Sequence, residues 1–483
     1  MGALSEPAMP SSALARNAAF LLAARVVSAA TTLAVLAIVG RTRGAEALGV
    51  VGIGFALGSI AAAMADGGSA SLLIREASRD APRAGSLLGA ALTYRAVSIP
   101  LTLVVVWLVA GFAVPDQAIP VLLVAAGLVA QSVAELTRSV FNARQRMAVS
   151  AGHTIIENLV WLAGIVGALA AGLALDGVFA VALGLLAGSV AAGLILDVAL
   201  AGVRPRLASQ SEWRALARHA APFAAFSVVG VAYARIDPLL IGLLLPGPAL
   251  AAAGAYFAAS RLVAAFEYLP EAVSRAVYPE LSRRVVERPT EVVPLLGRGA
   301  RVLVLVGAIV PGAALVGGPW LLETIFGTAI GAYAWVVAAL AVVVPFRFLG
   351  YLWGTALTSS DAQGRRVAAA LVALGIVMVT EVVLLPTLGI LGAVLAALAA
   401  AIAVSALYGR HVRSRFGAVG LEVRVAALAV GSAVAATVVG IALRAWIGAG
   451  PAALATVAVY GVAAALGPLR ADVALVRPVR SAR

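Results

Sequence analysis

Apolar runs long enough to cross a bilayer follow one another along almost the whole chain, separated by arginine-bearing intervals. About 20 consecutive apolar residues span a hydrocarbon core of about 30 Å as a helix. In that solvent each backbone N–H and C=O must be satisfied internally, which leaves the helix bundle or the closed barrel. Runs of this length select the helix. A window of about 19 residues predicts fourteen spans, near 17–40, 46–66, 86–111, 119–140, 153–173, 178–200, 220–245, 251–270, 301–319, 332–354, 367–386, 390–408, 425–446 and 451–468. The expected fold is therefore an all-α polytopic membrane protein. Composition agrees: 63% of residues are hydrophobic and 12% charged, against about 25% charged in soluble domains.

The net charge of +13 does not describe a nucleic-acid surface. Its basic residues are all arginine, they lie between apolar spans, and no basic face carries interleaved aromatics. No nucleic-acid partner is expected; the lipid bilayer is. The chain has no cysteine, and His153, His219 and His411 stand far apart. Disulfides, thiol chemistry, a metal centre and a cofactor are not expected. The first span is too long for the apolar core of a cleaved leader and is expected to remain as a helix.

Alternate loops carry the arginines, for example Arg75, Arg79 and Arg83, then Arg138, Arg144 and Arg146, and at the end Arg470, Arg477, Arg480 and Arg483. The opposite loops are short and nearly free of arginine apart from Arg41, Arg43 and Arg444. By the positive-inside rule both termini are expected in the cytoplasm. Two cytoplasmic loops are long. In 204–219, Trp213, Leu216 and Ala220 fall at helical spacing with Arg214 and Arg218 on other faces. That suits a short helix on the membrane surface; a solvated linker burying one Trp fits as well. In 274–301, Pro279, Pro289 and Pro294 are expected to interrupt any single helix. The longest outer loop is expected around Trp320 to Gly331, about 12 residues.

A weak repeat relates the stretch from Ala47 to the stretch from Ala249. Gly52 matches Gly254, Phe55 matches Phe257, Ala56 matches Ala258, and Glu76 and Arg79 match Glu280 and Arg283. The offset corresponds to six spans, as in parallel-repeat transporters. The expected organisation is a six-helix lobe over 1–203, an amphipathic linker over 204–219, a second six-helix lobe over 220–410, and two further helices with a basic tail over 411–483.

These motifs resemble Wzx-type polysaccharide flippases of the MATE/MurJ/Wzx exporter superfamily. In the first half the resemblance rests on Arg41 with Gly44, Gly54 with Phe55, Gly67 with Gly68, and Arg75 with Glu76. In the second it rests on Asp237, Gly254 with Tyr256, Arg261, and the Pro279-x-Leu281-Ser282 run. The Glu-Gly-Ala run of the lipid II flippase branch is missing from the second loop. The resemblance implies a V-shaped transporter of two lobes in the bacterial inner membrane. It would move an undecaprenyl-diphosphate-linked oligosaccharide outward by alternating access, with a proton or sodium ion as possible driver and other polysaccharide-assembly proteins as possible partners.

Charges inside apolar spans are the candidate site, because each costs about 2.5–3.5 kcal/mol at a helix centre unless something repays it. Arg25 lies near the middle of the first span and Arg261 near the middle of the eighth; the resemblance matches Arg261 to a cavity arginine. A guanidinium suits a diphosphate through its two-pronged donor geometry. Arg235, Arg95 and Arg347 are further candidates, the last two able to reach the interface. Asp237 and Glu267 are read either as ion-coupling carboxylates or as partners of Arg235 and Arg261. A kink is expected ahead of Pro238. Glu157, Glu381, Asp66 and Asp197 are expected at the interfaces, while His153 and Glu157 share a helix face and could titrate together. The alternative function is an ion-coupled multidrug or small-molecule exporter of the same superfamily; the central spans hold at least as many arginines as acids, which favours an anionic cargo. An enzyme is not expected, since no Asp-x-Asp or paired-carboxylate loop stands out.

Overall fold

The structure is a computed structural model that describes residues 11–206, 208–360, 362–419 and 423–466. The expected basic tail with Arg470, Arg477, Arg480 and Arg483 lies outside them. The described residues form helices and turns, with no strand among them. In chain order the helices are α1 Ser11–Asp66, α2 Ser69–Arg79, α3 Ala84–Ala113, α4 Ala118–Ala143, α5 Met147–Ala170, α6 Leu175–Ala201 and α7 Gln210–Arg235. Then follow α8 Asp237–Leu244, α9 Ala249–Ala264, α10 Tyr268–Glu287, α11 Val292–Phe326, α12 Val336–Ala341 and α13 Val344–Thr358. The chain closes with α14 Gln363–Leu388, α15 Ile390–Phe416, α16 Val423–Ile447 and α17 Ala449–Leu466.

Eleven of the described helices are long and apolar enough to cross a membrane, or twelve if the bent pair in α7 is one span. The expectation of fourteen exceeds this count for two local reasons. The apolar part of α1, Ala19–Asp66, is 48 residues long and holds two expected spans. At 1.5 Å per residue it measures about 72 Å, more than twice the hydrocarbon core. Gly44 breaks it with φ 82° and ψ −172°, a conformation that needs the missing Cβ. At the other end, Ala449–Ala465 is apolar but short.

Two compact units divide the chain. The first comprises residues 1–39 and 50–239, the second 40–49 and 240–483. In the first unit, Leu72, Leu88, Leu136, Phe141 and Leu216 build one core, and Trp161 stacks on Phe179 with centroids 6.5 Å apart. In the second unit, α16 and α17 pack on α11, where the Tyr460 hydroxyl donates to the Leu305 carbonyl at 2.6 Å.

Residues 40–49 supply the second unit with two structural devices. Arg41 donates through Nε to the Ile325 carbonyl at 3.0 Å and through Nη2 to the Thr324 carbonyl. These carbonyls end α11 and have no intrahelical donor. Gly49 and Gly254 form a close crossing with α9: a Cβ on Gly254 would collide with the Ala45 carbonyl, and one on Gly49 with the Leu250 carbonyl. Small residues permit such approaches between membrane helices.

Several loop expectations change. Pro279 sits inside α10, so the second long loop is mostly helix. The break falls instead at Arg288, whose φ of −144° and ψ of 67° fit a residue held out of the helical region by the proline that follows. No outer loop of twelve residues surrounds Trp320, because α11 continues to Phe326 and a short 3-10 turn, Thr328–Tyr333, follows. Residues 210–221 form the first part of α7, opened by a capping box in which the Ser209 hydroxyl accepts from Glu212 N–H and the Glu212 carboxylate accepts from Ser209 N–H. This part bends by 55° from Phe223–Arg235, at a proline that has no N–H for the helical ladder.

The Gly49–Gly254 crossing gives a stability prediction. Gly254→Leu should destabilise the protein by about 1–3 kcal/mol or more, the range for overpacking, and lower the melting temperature in detergent. Gly111→Leu, at a position where a Cβ would meet nothing within 4 Å, should leave it unchanged.

Candidate functional site

Within the first unit, Arg25 on α1 is exposed. One turn on, the Ser28 hydroxyl donates to Asn158 Oδ1 on α5 at 3.3 Å, and Asn158 Nδ2 donates to the Thr154 carbonyl at 2.7 Å. Asn158 thus gives α1 a polar contact on α5 that the sequence reading missed. Arg235, half-buried at the end of α7, lies over the Phe55 ring at 5.2 Å. The break expected ahead of Pro238 is present between α7 and α8, with Asp237 half-buried in the first turn of α8. An acid there complements the positive end of the helix.

Arg95 is only 2% exposed. Its guanidinium donates to Asp66 at the end of α1 and to the Ser132 carbonyl of α4. Asp66 Oδ1 also accepts from the Ser69 hydroxyl at 3.0 Å and the Ala70 N–H at 3.1 Å, so it caps α2. Arg95 does not reach the interface; it ties three helices together inside the unit.

A second buried cluster joins α4, α5 and α6. Arg138 Nη1 meets Glu157 Oε2 at 2.5 Å. The Thr137 hydroxyl donates to Asp197 Oδ2 at 2.8 Å. His153 Nδ1 approaches Asp197 Oδ1 to 2.8 Å, at an angle short of a hydrogen bond. The closest charged contact of His153 is thus Asp197, and that of Glu157 is Arg138. Glu157, Asp197 and Glu381 are 4%, 3% and 0% exposed, so all three are enclosed by protein.

The second unit holds the most extended polar feature inside apolar helices. Arg261 on α9 is half-buried over the Phe257 ring at 4.8 Å. Glu267 follows in a short 3-10 turn, Ala265–Glu267. Its carboxylate meets Arg347 Nη1 at 2.5 Å and accepts from the Tyr351 hydroxyl at 3.2 Å. From that ion pair two stripes run down facing helices. On α10 the stripe is Glu271, Ser274 and Tyr278; on α13 it is Tyr351, Thr355 and Thr358. Steps of three and four residues keep each set on one helix face. The two stripes line an open cleft of about 220 Å³. The Ser274 hydroxyl is buried in its wall without a hydrogen-bond partner among the described residues. At the far end Arg366 Nη1 donates to Thr358 Oγ1 at 2.7 Å. A helical projection of α10 and α13 would have shown both stripes in the sequence; their facing one another is tertiary.

Beyond the spans, Glu280 on α10 meets Arg284 Nε at 2.5 Å and Arg283. Its counterpart in the repeat, Glu76, is bonded to Arg75 at 2.9 Å. The Arg284 hydrogen bond, with help from Arg283, holds the Glu280 carboxyl below the ordinary carboxylate range. Among the described residues no group of three or more His, Cys, Asp or Glu is arranged to hold a metal.

The profile of the family described as "Polysaccharide biosynthesis protein" matches residues 14–285, more than half of the chain. The chain belongs to that family. Its fold is similar to "Lipid II flippase MurJ, inward closed conformation", with a TM-score of 0.77 at 11% identity over 94% of this chain and 99% of that one. It is also similar to "a multidrug resistance MATE family transporter of the MOP superfamily" in an inward-facing conformation, with a TM-score of 0.58 at 14% identity over 81% and 95%. A third likeness is to the eukaryotic MATE transporter AtDTX14, with a TM-score of 0.54 at 15% identity over 87% and 100%. None of the curated protein sequences compared matches the chain. The fold is the one these flippase and transporter structures share.

The ion pairs set two testable outcomes. Arg95→Ala should cost about 3–5 kcal/mol, the range for removing one partner of a buried pair, while Arg95→Met with Asp66→Asn should recover much of the loss in thermal unfolding. Glu280→Gln should destabilise the end of α10 at neutral pH. Because the native carboxyl titrates below its unfolded value, that difference is complete above about pH 4.5 and is lost as pH falls through the lowered native value; melting curves of both proteins across this window check it.

Proposed function

We propose that this member of the polysaccharide biosynthesis protein family moves an undecaprenyl-diphosphate-linked oligosaccharide from the cytoplasmic to the outer leaflet of a bacterial inner membrane by alternating access. The observation that carries this reading is the pair of facing polar stripes on α10 and α13. The Ser274, Thr355 and Thr358 hydroxyls and two tyrosines, beside the Glu271 carboxylate, suit a hydroxyl-rich cargo. Tyrosine offers an apolar face to a sugar ring and an O–H for its hydroxyls, and Ser274 contributes a donor with no competing partner. The cleft, at about 220 Å³, is smaller than the roughly 300–1,000 Å³ of drug-sized sites, as a subsite for part of a longer chain would be.

Diphosphate contacts are assigned separately, in the first unit to Arg25 with Arg235 in support and in the second unit to Arg261. Each is a permanent cation in an apolar helix, and none is fully buried. Arg95 has no such role in this reading, because its guanidinium is committed to Asp66 and Ser132. Arg347 links cargo to driving ion. It neutralises Glu267 at rest. A diphosphate that draws Arg347 away would leave Glu267 to take up a proton or sodium ion, with Tyr351 already hydrogen-bonded to it. Asp237 is the second acid available for this exchange. The arginine-rich ends of the helices, including Arg283 and Arg284, face the cytoplasm, and both termini lie on that side.

Purified protein in proteoliposomes containing a polyprenyl-diphosphate-linked oligosaccharide tests the reading. Arg25→Ala and Arg261→Ala should each slow flipping tenfold or more, since a charge-assisted hydrogen bond is worth about 1.5–3 kcal/mol, without loss of protein from the membrane. Tyr351→Phe should weaken coupling to the ion gradient more than cargo binding. Wild-type flipping rates in both arginine variants would overturn the diphosphate assignment. Drug export with no flipping would replace the cargo.

A further inference from the structure

A second cavity, within the first unit, lies at its arginine-rich end and has no part in the scheme above. It is a cavity of about 440 Å³ between α2, the first turns of α3 and the first part of α7. Two features hold it in shape. The main chain of the linker lies directly on α3: a Cβ at Gly89 would collide with the Arg206 carbonyl. The capping box of Ser209 and Glu212 then starts α7 at a fixed place, so that Glu212, Ala215, Leu216 and His219 form the wall facing α2.

The lining is amphiphilic. Leu72, Leu87 and Leu216 make an apolar floor, and Arg75, Arg83 and His219 stand at the polar rim. Two acids also line the space, and both are occupied. Glu76 is bonded to Arg75 at 2.9 Å. Glu212 accepts from Arg206, from the Ser209 N–H at 2.8 Å and from the Ser209 hydroxyl at 3.0 Å. The donors are less used. Arg83 is exposed, with Asp80 4.0 Å away. Arg75 lies over Phe223 at 5.3 Å and has N–H groups beyond the one given to Glu76. His219 Nδ1 donates to the Ala215 carbonyl of its own helix at 2.8 Å, so Nε2 can donate to an anion only in the doubly protonated ring. Arg79, Arg214 and Arg218 are exposed on the same elements. The space falls in the size range of small-molecule sites, about 300–1,000 Å³.

We infer that this cavity binds the phosphate of a membrane lipid, with the headgroup between Arg75, Arg83 and His219 and the first part of the tail on Leu72, Leu87 and Leu216. Guanidinium groups suit phosphate oxygens through paired donors. The apolar floor selects a lipid over a free phosphate. Clustered arginines beside membrane spans, on an amphipathic helix, match the anionic surface of a cytoplasmic leaflet. The phosphate could come from an anionic glycerophospholipid or from the polyprenyl carrier itself, and the chemistry of recognition is the same.

Native mass spectrometry of the full chain in neutral detergent tests the site. The probes are phosphatidylglycerol, phosphatidylcholine of the same acyl chains, polyprenyl phosphate and inorganic pyrophosphate. Phosphatidylglycerol or polyprenyl phosphate should be retained more strongly than phosphatidylcholine, and the stronger of the two identifies the source. Arg83→Gln should weaken retention about fivefold, and Arg75→Gln with Arg83→Gln roughly thirtyfold, from the contribution of an arginine at an anionic surface. Should the double variant melt lower than wild type, the single Arg83→Gln, at an exposed side chain, carries the comparison. Unchanged retention in Arg83→Gln, equal retention of phosphatidylcholine, or pyrophosphate binding as tightly as the lipids would each overturn the inference. Flipping is a separate readout, so failure here leaves the proposed cargo standing.

Discussion

An ionised side chain enclosed by apolar helices must meet an opposite charge or a row of hydrogen-bond partners, and this requirement organises both units. Breaking such a pair costs about 3–5 kcal/mol, comparable with the whole margin of stability of many domains, about 5–15 kcal/mol. Arg95 with Asp66, Arg138 with Glu157, and Arg347 with Glu267 each join different helices. They act as register marks: sliding either helix by one turn, about 5.4 Å, would strand both charges. Apolar packing alone gives no such marks, because one face of alanine, valine and leucine resembles the next.

Close backbone approach is the second organising element. Gly49 against Gly254 brings residues 45–49 and α9 nearer than any side chain would allow. Arg41, from the same short stretch, caps the end of α11, and Gly44 supplies the break that frees the stretch from one continuous α1. The Arg-x-x-Gly motif is therefore structural in this protein. Its arginine satisfies helix-end carbonyls, although arginines in apolar surroundings invite a reading as ligand contacts.

The transport role proposed above draws on a smaller group of charges. Arg25, Arg235 and Arg261 are partly or wholly open, and Glu267 with Arg347 and Tyr351 heads the facing stripes of α10 and α13. A transporter needs this division. Fully paired charges hold each unit rigid, while half-exposed ones can exchange partners as cargo and ion arrive. Glu267 has both an ion pair and a hydroxyl donor, so it can lose one partner and keep another.

Hydropathy and the alternation of arginine-rich intervals determined that this chain crosses a membrane repeatedly as helices, because burying a backbone in hydrocarbon leaves few other solutions. They located nearly every helix, and the motifs around Arg41, Gly54, Arg75, Asp237 and Arg261 pointed to the transporter family. Helix length was less legible: the continuity of α10 through Pro279 depends on whether neighbours hold the chain straight. Partnership was not legible at all. Arg347 and Glu267 are 80 residues apart, and Arg95 and Ser132 are 37 apart. Composition and spacing are local quantities, so they showed which side chains are costly in a membrane; only the packing of helices distant in sequence decided which partners offset those costs, as Asp66 does for Arg95 and Glu267 for Arg347.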